Sequence, residues 1–266
     1  MQHSQRWKLV LAYHGAGFVG WQVQPTGRSV QGVVEAALAA LLGESVRVDA
    51  GGRTDAGVHA LAQHATFVTR VHRTPRSMCG GLNAHLPQDV SCVAAVQVPD
   101  HYDPRAWTLS KTYRYTWLDR PSRCPLRDDR SWHKRRRLDD IAMARGAVML
   151  LGTHDFSAFQ AVGCAAKSPV RQLRAARVWR DGDAVHLDVV GHGFLRHMVR
   201  IIAGTLTEVG HGRHPPEWVR HVLHSRDRAE GGRTAPAHGL TLVSVEEGPG
   251  PRPDAVARGA VSSDLR

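Results

Sequence analysis

No run of about 18 apolar residues occurs in the 266-residue chain, so no membrane-spanning helix is expected. The opening "MQHSQRWKLVLAY" lacks the basic, apolar, small-residue layout of a secretory signal, and a cytoplasmic protein is expected. Cysteine is sparse. Cys79, Cys92, Cys124 and Cys164 lie far apart with no C-x-x-C pair, which removes zinc-ribbon and thioredoxin-type readings and leaves reduced packing thiols. Neither H-E-x-x-H nor G-x-S-x-G is present, so metalloprotease and hydrolase-elbow chemistry lack support. The 17 histidines include His59/His64, His192/His197 and His221/His224, but no acid set stands at ligand spacing. Lysine is scarce as well: all but four of the 35 basic residues are arginine.

What is abundant is positive charge, +11 at neutral pH. That balance favours a polyanionic partner, nucleic acid above all. Guanidinium groups grip phosphate bidentately and stack on bases, which suits RNA. A hydrophobic share of 42% over this length is enough to bury a core without staples.

Strands are expected at 7–13, 45–50, 58–69, 91–98 and 111–119. Ser29 is placed to cap a helix in which Val33, Val34, Ala37, Leu38, Leu41 and Leu42 recur at helical spacing before Gly43. Further helices are expected at 75–86, started by Pro75, and at 138–152, 194–210 and 217–225. Residues 170–192 read as two strands turning at Asp181-Gly182, and 239–246 as a closing strand. Strands and helices mix without strict alternation, which argues for an α+β fold with a largely antiparallel sheet. Both halves show strand, helix, strand, strand order. The Gly/Pro/Ser-rich 248–266 reads as a disordered tail. The basic run "HKRRR" at 133–137 reads first as solvated surface and second as an RNA contact.

"GAGFVG" (15–20) matches the G-x-G-x-x-G pattern of dinucleotide cofactor loops. Such a loop must open a helix whose N-terminus holds the pyrophosphate. Here Pro25 and Gly27 follow instead, so the glycines read as room for a tight turn or for close approach of another backbone or a ligand. "GGRTDAGVHA" (51–60) places Asp55 in a glycine-flanked loop after a strand. A lone loop aspartate is ordinarily an Asx-turn. Against that stand Arg53, near enough to hold the acid ionised, and glycines that would admit a bulky substrate.

The second of these stretches resembles the signature loop of the tRNA pseudouridine synthase A family. The resemblance runs through "YHGAGFVGWQ" (13–22), "LNAHLPQDV" (82–90), "SKTYRYTW" (110–117), "HDFSAF" (154–159), "GCAAKSPVR" (163–171), "GFLRHMVRIIAG" (193–204) and "TAPAHGLTLVSV" (234–245), in the family's order and over roughly residues 7–247. It implies an α+β fold of two similar ferredoxin-like or RRM-like halves, joined through a continuous, mainly antiparallel sheet with a central cleft. Residues 1–105 would carry the Asp loop, 106–247 would complete the cleft, and 248–266 would be the tail. It also implies isomerisation of uridine to pseudouridine at tRNA positions 38, 39 and 40, without a cofactor or metal, by a homodimer that binds tRNA.

In that reading Asp55 is the nucleophile, Arg200 its ion-pair partner, and Tyr113 the ring that stacks on the target uracil and helps with proton transfer. Arg53 enters the RNA as the base flips. Thr54, Arg105, Lys111, Arg114, Lys167 and Arg171 complete the substrate contacts. The chain departs from the family pattern at His14, Gly51, Asp103, Pro104 and Ile201, which puts the walls of the site in question more than its chemical groups. Tyr113 and Tyr115 fall on one strand face, so strand pattern does not separate them. The rival expectation is a non-catalytic basic RNA-binding protein on the same fold. It accounts for the charge but not for an acid in the middle of a basic loop.

Overall fold

The local signals at chain turns are realised where they are strongest. In the structure, a computed structural model describing residues 4–249, the Ser29 hydroxyl accepts from the Gly32 amide and starts α1 (Val30–Leu42). Gly43 ends α1 at a left-handed φ of 71°. A reciprocal capping box between Thr74 and Ser77 starts α2 (Pro75–His85). The first half reads β1 (Gln5–Tyr13), α1, β2 (Asp49–Ala50), β3 (His59–Thr69), α2 and β4 (Val90–Val98). The second reads β5 (Thr108–Asp119), β6 (Trp132–Lys134), α3 (Asp140–Val148), β7 (Gly152–Asp155), β8 (Val170–Asp181), β9 (Ala184–Gly191), α4 (Met198–Gly210), α5 (Trp218–Ser225) and β10 (Leu240–Glu247).

The ten strands of the described residues form one sheet, with the path β4-β1-β3-β10-β5-β9-β8-β7. In the first half the fourth, first, third and second strands lie side by side as β4-β1-β3-β2. The second half repeats that order as β10-β5-β9-β8. Each half is thus a β-α-β-β-α-β unit of ferredoxin-like type, and pairing is antiparallel except for β10 with β3 and β6 with β5. The join is made by the last strand of the chain: β10 pairs with β5 along its length and with β3 at Thr241↔His59 and Leu242↔Ala60. Each half has its own core. Trp7, Leu9, Leu11, Leu38 and Phe67 anchor one, and Trp117, Phe156, Leu187, Ile202 and Leu206 the other. Tyr113 packs against both.

Several boundaries differ from expectation. The strand expected at 45–50 shrinks to Asp49–Ala50. The helix expected at 138–152 is capped by Asp139 and stops at Val148, because the chain turns into the short strand β7 at Gly152. The helix expected from 194 starts only at Met198, because His197 takes a left-handed φ of 60°. The basic run is not plain surface, since Trp132–Lys134 pairs with β5 and Lys134 is buried. Of the expected tail, Gly248 donates to the Trp107 carbonyl and 250–266 lie outside the described residues.

Candidate active site

The loop between β2 and β3 places Asp55 at the first position of a turn. The Val58 amide donates to the Asp55 carbonyl at 3.1 Å, and Gly57 takes the positive φ, 78°, that such a turn needs. The backbone of Asp55 is therefore tied, while its carboxylate accepts no hydrogen bond among the described residues. It is not an Asx-turn.

Side chains from other elements hold the approach to Asp55. The carbonyls of three successive residues each take a donor: Arg105 Nε reaches Ala50 O at 3.2 Å, Lys111 Nζ reaches Gly51 O at 2.7 Å, and Gln63 Nε2 reaches Gly52 O. The buried Thr54 hydroxyl lies 2.8 Å from the Tyr13 hydroxyl. The 15–20 loop lies flat against this segment. Trp21 N donates to Thr54 O at 3.1 Å and Gly57 N to Phe18 O at 3.3 Å. A Cβ on Gly15 would come within 2.0 Å of the Val58 carbonyl, and one on Gly20 within 2.8 Å of the Thr54 carbonyl. The glycines of "GAGFVG" thus serve backbone approach, and the next helix begins only at Val30.

Opposite stands the start of α4. Arg200 Nη1 and His197 Nε2 lie 3.8 and 3.7 Å from the same Asp55 oxygen, Oδ2. Arg200 is fixed from behind, with Nε donating to Ala235 O at 2.8 Å and its own carbonyl accepting from Ala235 N. Burial lowers the His197 imidazole below its ordinary value, so at neutral pH the permanent cation facing Asp55 is Arg200. Burial also lowers the Arg200 guanidinium, opposed by the Asp55 charge. At this separation Arg200 attracts the carboxylate without occupying it through a bidentate bond, and the Asp55 side chain stays one-third exposed.

Tyr113 and Tyr115 now separate. Tyr115 is fully buried and donates to the Pro236 carbonyl at 3.0 Å, a packing role. Tyr113 sits half-buried at the seam, edge-on to Phe194 at 5.2 Å between centroids. Burial, then the Asp55 charge, raise its hydroxyl pKa and keep it protonated.

The other expected contacts divide. Arg53 and Lys167 are exposed, without a hydrogen-bond or ion-pair partner among the described residues. Arg53 does not pair with Asp55; the cation that faces the carboxylate is Arg200 of α4. Arg114 is taken by Asp188 in a bidentate pair at 2.7 and 2.8 Å. Arg171 turns back onto the Ser168 and Val170 carbonyls. Lys111 is partly buried rather than a free surface charge, and burial, then Arg105, push its amine down to about 8.

The departures from the family pattern have local explanations. Gly51 faces Pro104, whose carbonyl would lie 2.9 Å from an added Cβ. Asp103 accepts from the Arg105 amide at 2.7 Å. His14 reaches Asp129 at 2.8 Å and packs at a tilt against the His59 ring, and Ile201 is fully buried. The residue not foreseen at the site is His197; its three-residue spacing from Arg200 was the available signal.

A family model described as tRNA pseudouridine synthase matches residues 9–105 and 147–246. A tRNA pseudouridine synthase A of Geotalea uraniireducens is 49% identical over 90% of this chain and 98% of its own length. One of Myxococcus xanthus is 49% identical over 92% and 93%, and one of Pelobacter propionicus 46% identical over 90% and 98%.

Proposed function

Because the chain belongs to the tRNA pseudouridine synthase family, we propose that it converts uridine to pseudouridine in the anticodon stem-loop of tRNA, at positions 38, 39 and 40. The observation that carries the reading is the unbonded Asp55 carboxylate facing Arg200, with Tyr113 at the seam of the two halves.

The reaction breaks the bond from ribose C1′ to uracil N1, turns the base, joins C1′ to C5, and exchanges the C5 proton for one at N1. No electrons leave the substrate, so the chemistry calls for no redox cofactor. Asp55 is the nucleophile, and attack at ring C6 or at C1′ starts from the same carboxylate. A base enclosed over Asp55 would desolvate it and raise its pKa, and Arg200 opposes that rise by holding the anion. Tyr113, protonated and half-exposed, offers a ring face to the uracil and a hydroxyl near C5. Leaving the stack costs the uridine a few kcal/mol, and the free, exposed Arg53 is placed to fill the gap. Lys167 is a free cation for phosphate, whereas Arg105, Lys111 and Thr54 act by holding the loop. The working unit is a cytoplasmic homodimer with halves 1–105 and 106–247. No helix among the described residues is long and apolar enough to cross a membrane.

Release of tritium from tRNA labelled at uracil C5 tests the reaction, since closing the C1′–C5 bond must expel that hydrogen. Wild type is expected to release it, and Asp55→Ala to bind tRNA and release none. If neither releases tritium while both bind, the chain is an RNA-binding protein on a synthase fold.

A further inference from the structure

The run His133–Arg137 is not absorbed by the site above, and its placement is unusual. Lys134 is 8% exposed, with its ammonium 3.0 Å from the centroid of the Trp132 ring. Arg233 lies over the same ring at 4.6 Å. Arg213 is close by on the loop after α4, held to Glu208 at 2.6 Å, and Arg136 and His211 complete the neighbourhood. Three permanent cations, Arg136, Arg213 and Arg233, together with the Lys134 amine, thus share one carboxylate, Glu208, among the described residues. A merely solvated charge run would not bury its lysine against an indole.

We infer that Lys134 and Arg233, flanked by Arg136 and Arg213, form a binding site for a backbone phosphate of the substrate RNA. The inference rests on the tRNA reading above. Two observations give the direction. The first is electrostatic: burial and the facing charge of Arg233 push the Lys134 amine down to about 7, with Glu208 opposing and Arg213 adding, while burial, Lys134 and Arg213 also lower His211. An unfilled cluster relieves its repulsion by losing a proton, and a phosphate would relieve it by supplying the missing negative charge. The second is position. Arg200 and Glu208 are the two residues of α4 that are not buried, and eight residues of helix separate them by about 12 Å. Arg233 lies two residues from Ala235, which holds Arg200. One strap of chain therefore links the cluster to the cation facing Asp55, and RNA lying at Asp55 has its backbone within reach.

The test uses the full chain with Lys134→Met and Arg233→Gln. Filter retention of tRNA and C5 tritium release are each followed over a salt series. Each variant is expected to weaken tRNA binding roughly tenfold, to raise KM accordingly, and to lower the log–log salt slope by about one. Unchanged affinity and slope in both variants would overturn the site. Urea unfolding with and without inorganic phosphate is read alongside: loss of phosphate-induced stabilisation in the variants with tRNA affinity unchanged would also overturn the site, since it assigns the cluster to a free anion. A fall in kcat without change in KM would also overturn it. Filter retention does not depend on turnover, so an inactive wild type would remove the reaction while leaving the phosphate site to be judged by binding.

Discussion

At the scale of the single residue, the loop carrying Asp55 is held by others so that Asp55 is not. Backbone carbonyls on its approach accept from Arg105, Lys111 and Gln63, while the carboxylate keeps a gap of 3.8 Å to Arg200 and 3.7 Å to the His197 imidazole. Lys111 is a positioning residue in this arrangement. Lys111→Met leaves the Gly51 carbonyl without its donor, a loss of about 1–3 kcal/mol that lets the loop relax. Tritium release measured against tRNA concentration should show kcat down tenfold or more with KM little changed. The reverse pattern, KM raised and kcat kept, would make Lys111 a phosphate contact.

At the scale of the element, α4 is a buried rod whose only partly exposed residues are Arg200 and Glu208. It holds Arg200 in place through the strap at 231–236, which crosses it at Gly204. A Cβ there would stand 1.7 Å from the Arg233 carbonyl. Helix propensity alone says Gly204→Ala stabilises, by about 0.5–1 kcal/mol. The packing says the opposite: the strap must move, at a cost of about 1–3 kcal/mol, and Ala235 moves away from Arg200. A urea-unfolding midpoint below wild type together with reduced kcat is expected. A midpoint above wild type would show that the strap does not bear on the helix.

At the scale of the molecule, the two halves are joined by the end of the chain. β10 runs between β3 and β5, and Glu247 at its end binds Lys8 at 2.6 Å, His64 at 2.7 Å and the Tyr102 hydroxyl. Burial alone would raise the Glu247 carboxyl, but these three donors bring it down from 4.5 to about 2. A carboxyl lowered on folding adds stability that is complete above its unfolded value and is lost as pH falls through its folded one. Glu247→Gln should therefore lower stability by roughly 3 kcal/mol at pH 7, with the gap closing between pH 4.5 and 2. Urea midpoints across that range check it, and a gap independent of pH would show that Glu247 acts without its charge.

What was legible in the sequence was local or carried by motif. Ser29, Gly43, Pro75 and Gly182 mark turns by their own backbone and capping chemistry, and each stands at the boundary it announced. The repeated strand-helix-strand-strand order foreshadows the two matching units, and the family resemblance points to Asp55 and Arg200, which the fold sets 3.8 Å apart. Strands of two to four residues, β2, β6 and β7, were misjudged or missed because they are too short for alternation to show. Beyond the Asp55–Arg200 pair implied by the resemblance, only the tertiary structure decided which charge serves which. Arg53 is two residues from Asp55, yet the groups that face it are Arg200, as the family resemblance implies, and His197, from 145 and 142 positions away. Arg114 and Lys111 look alike as surface charges on one strand, but Asp188 neutralises one and a backbone carbonyl engages the other. Helix caps and turns depend on neighbours in the chain, whereas a charge is assigned by whatever the fold brings within a few ångströms of it.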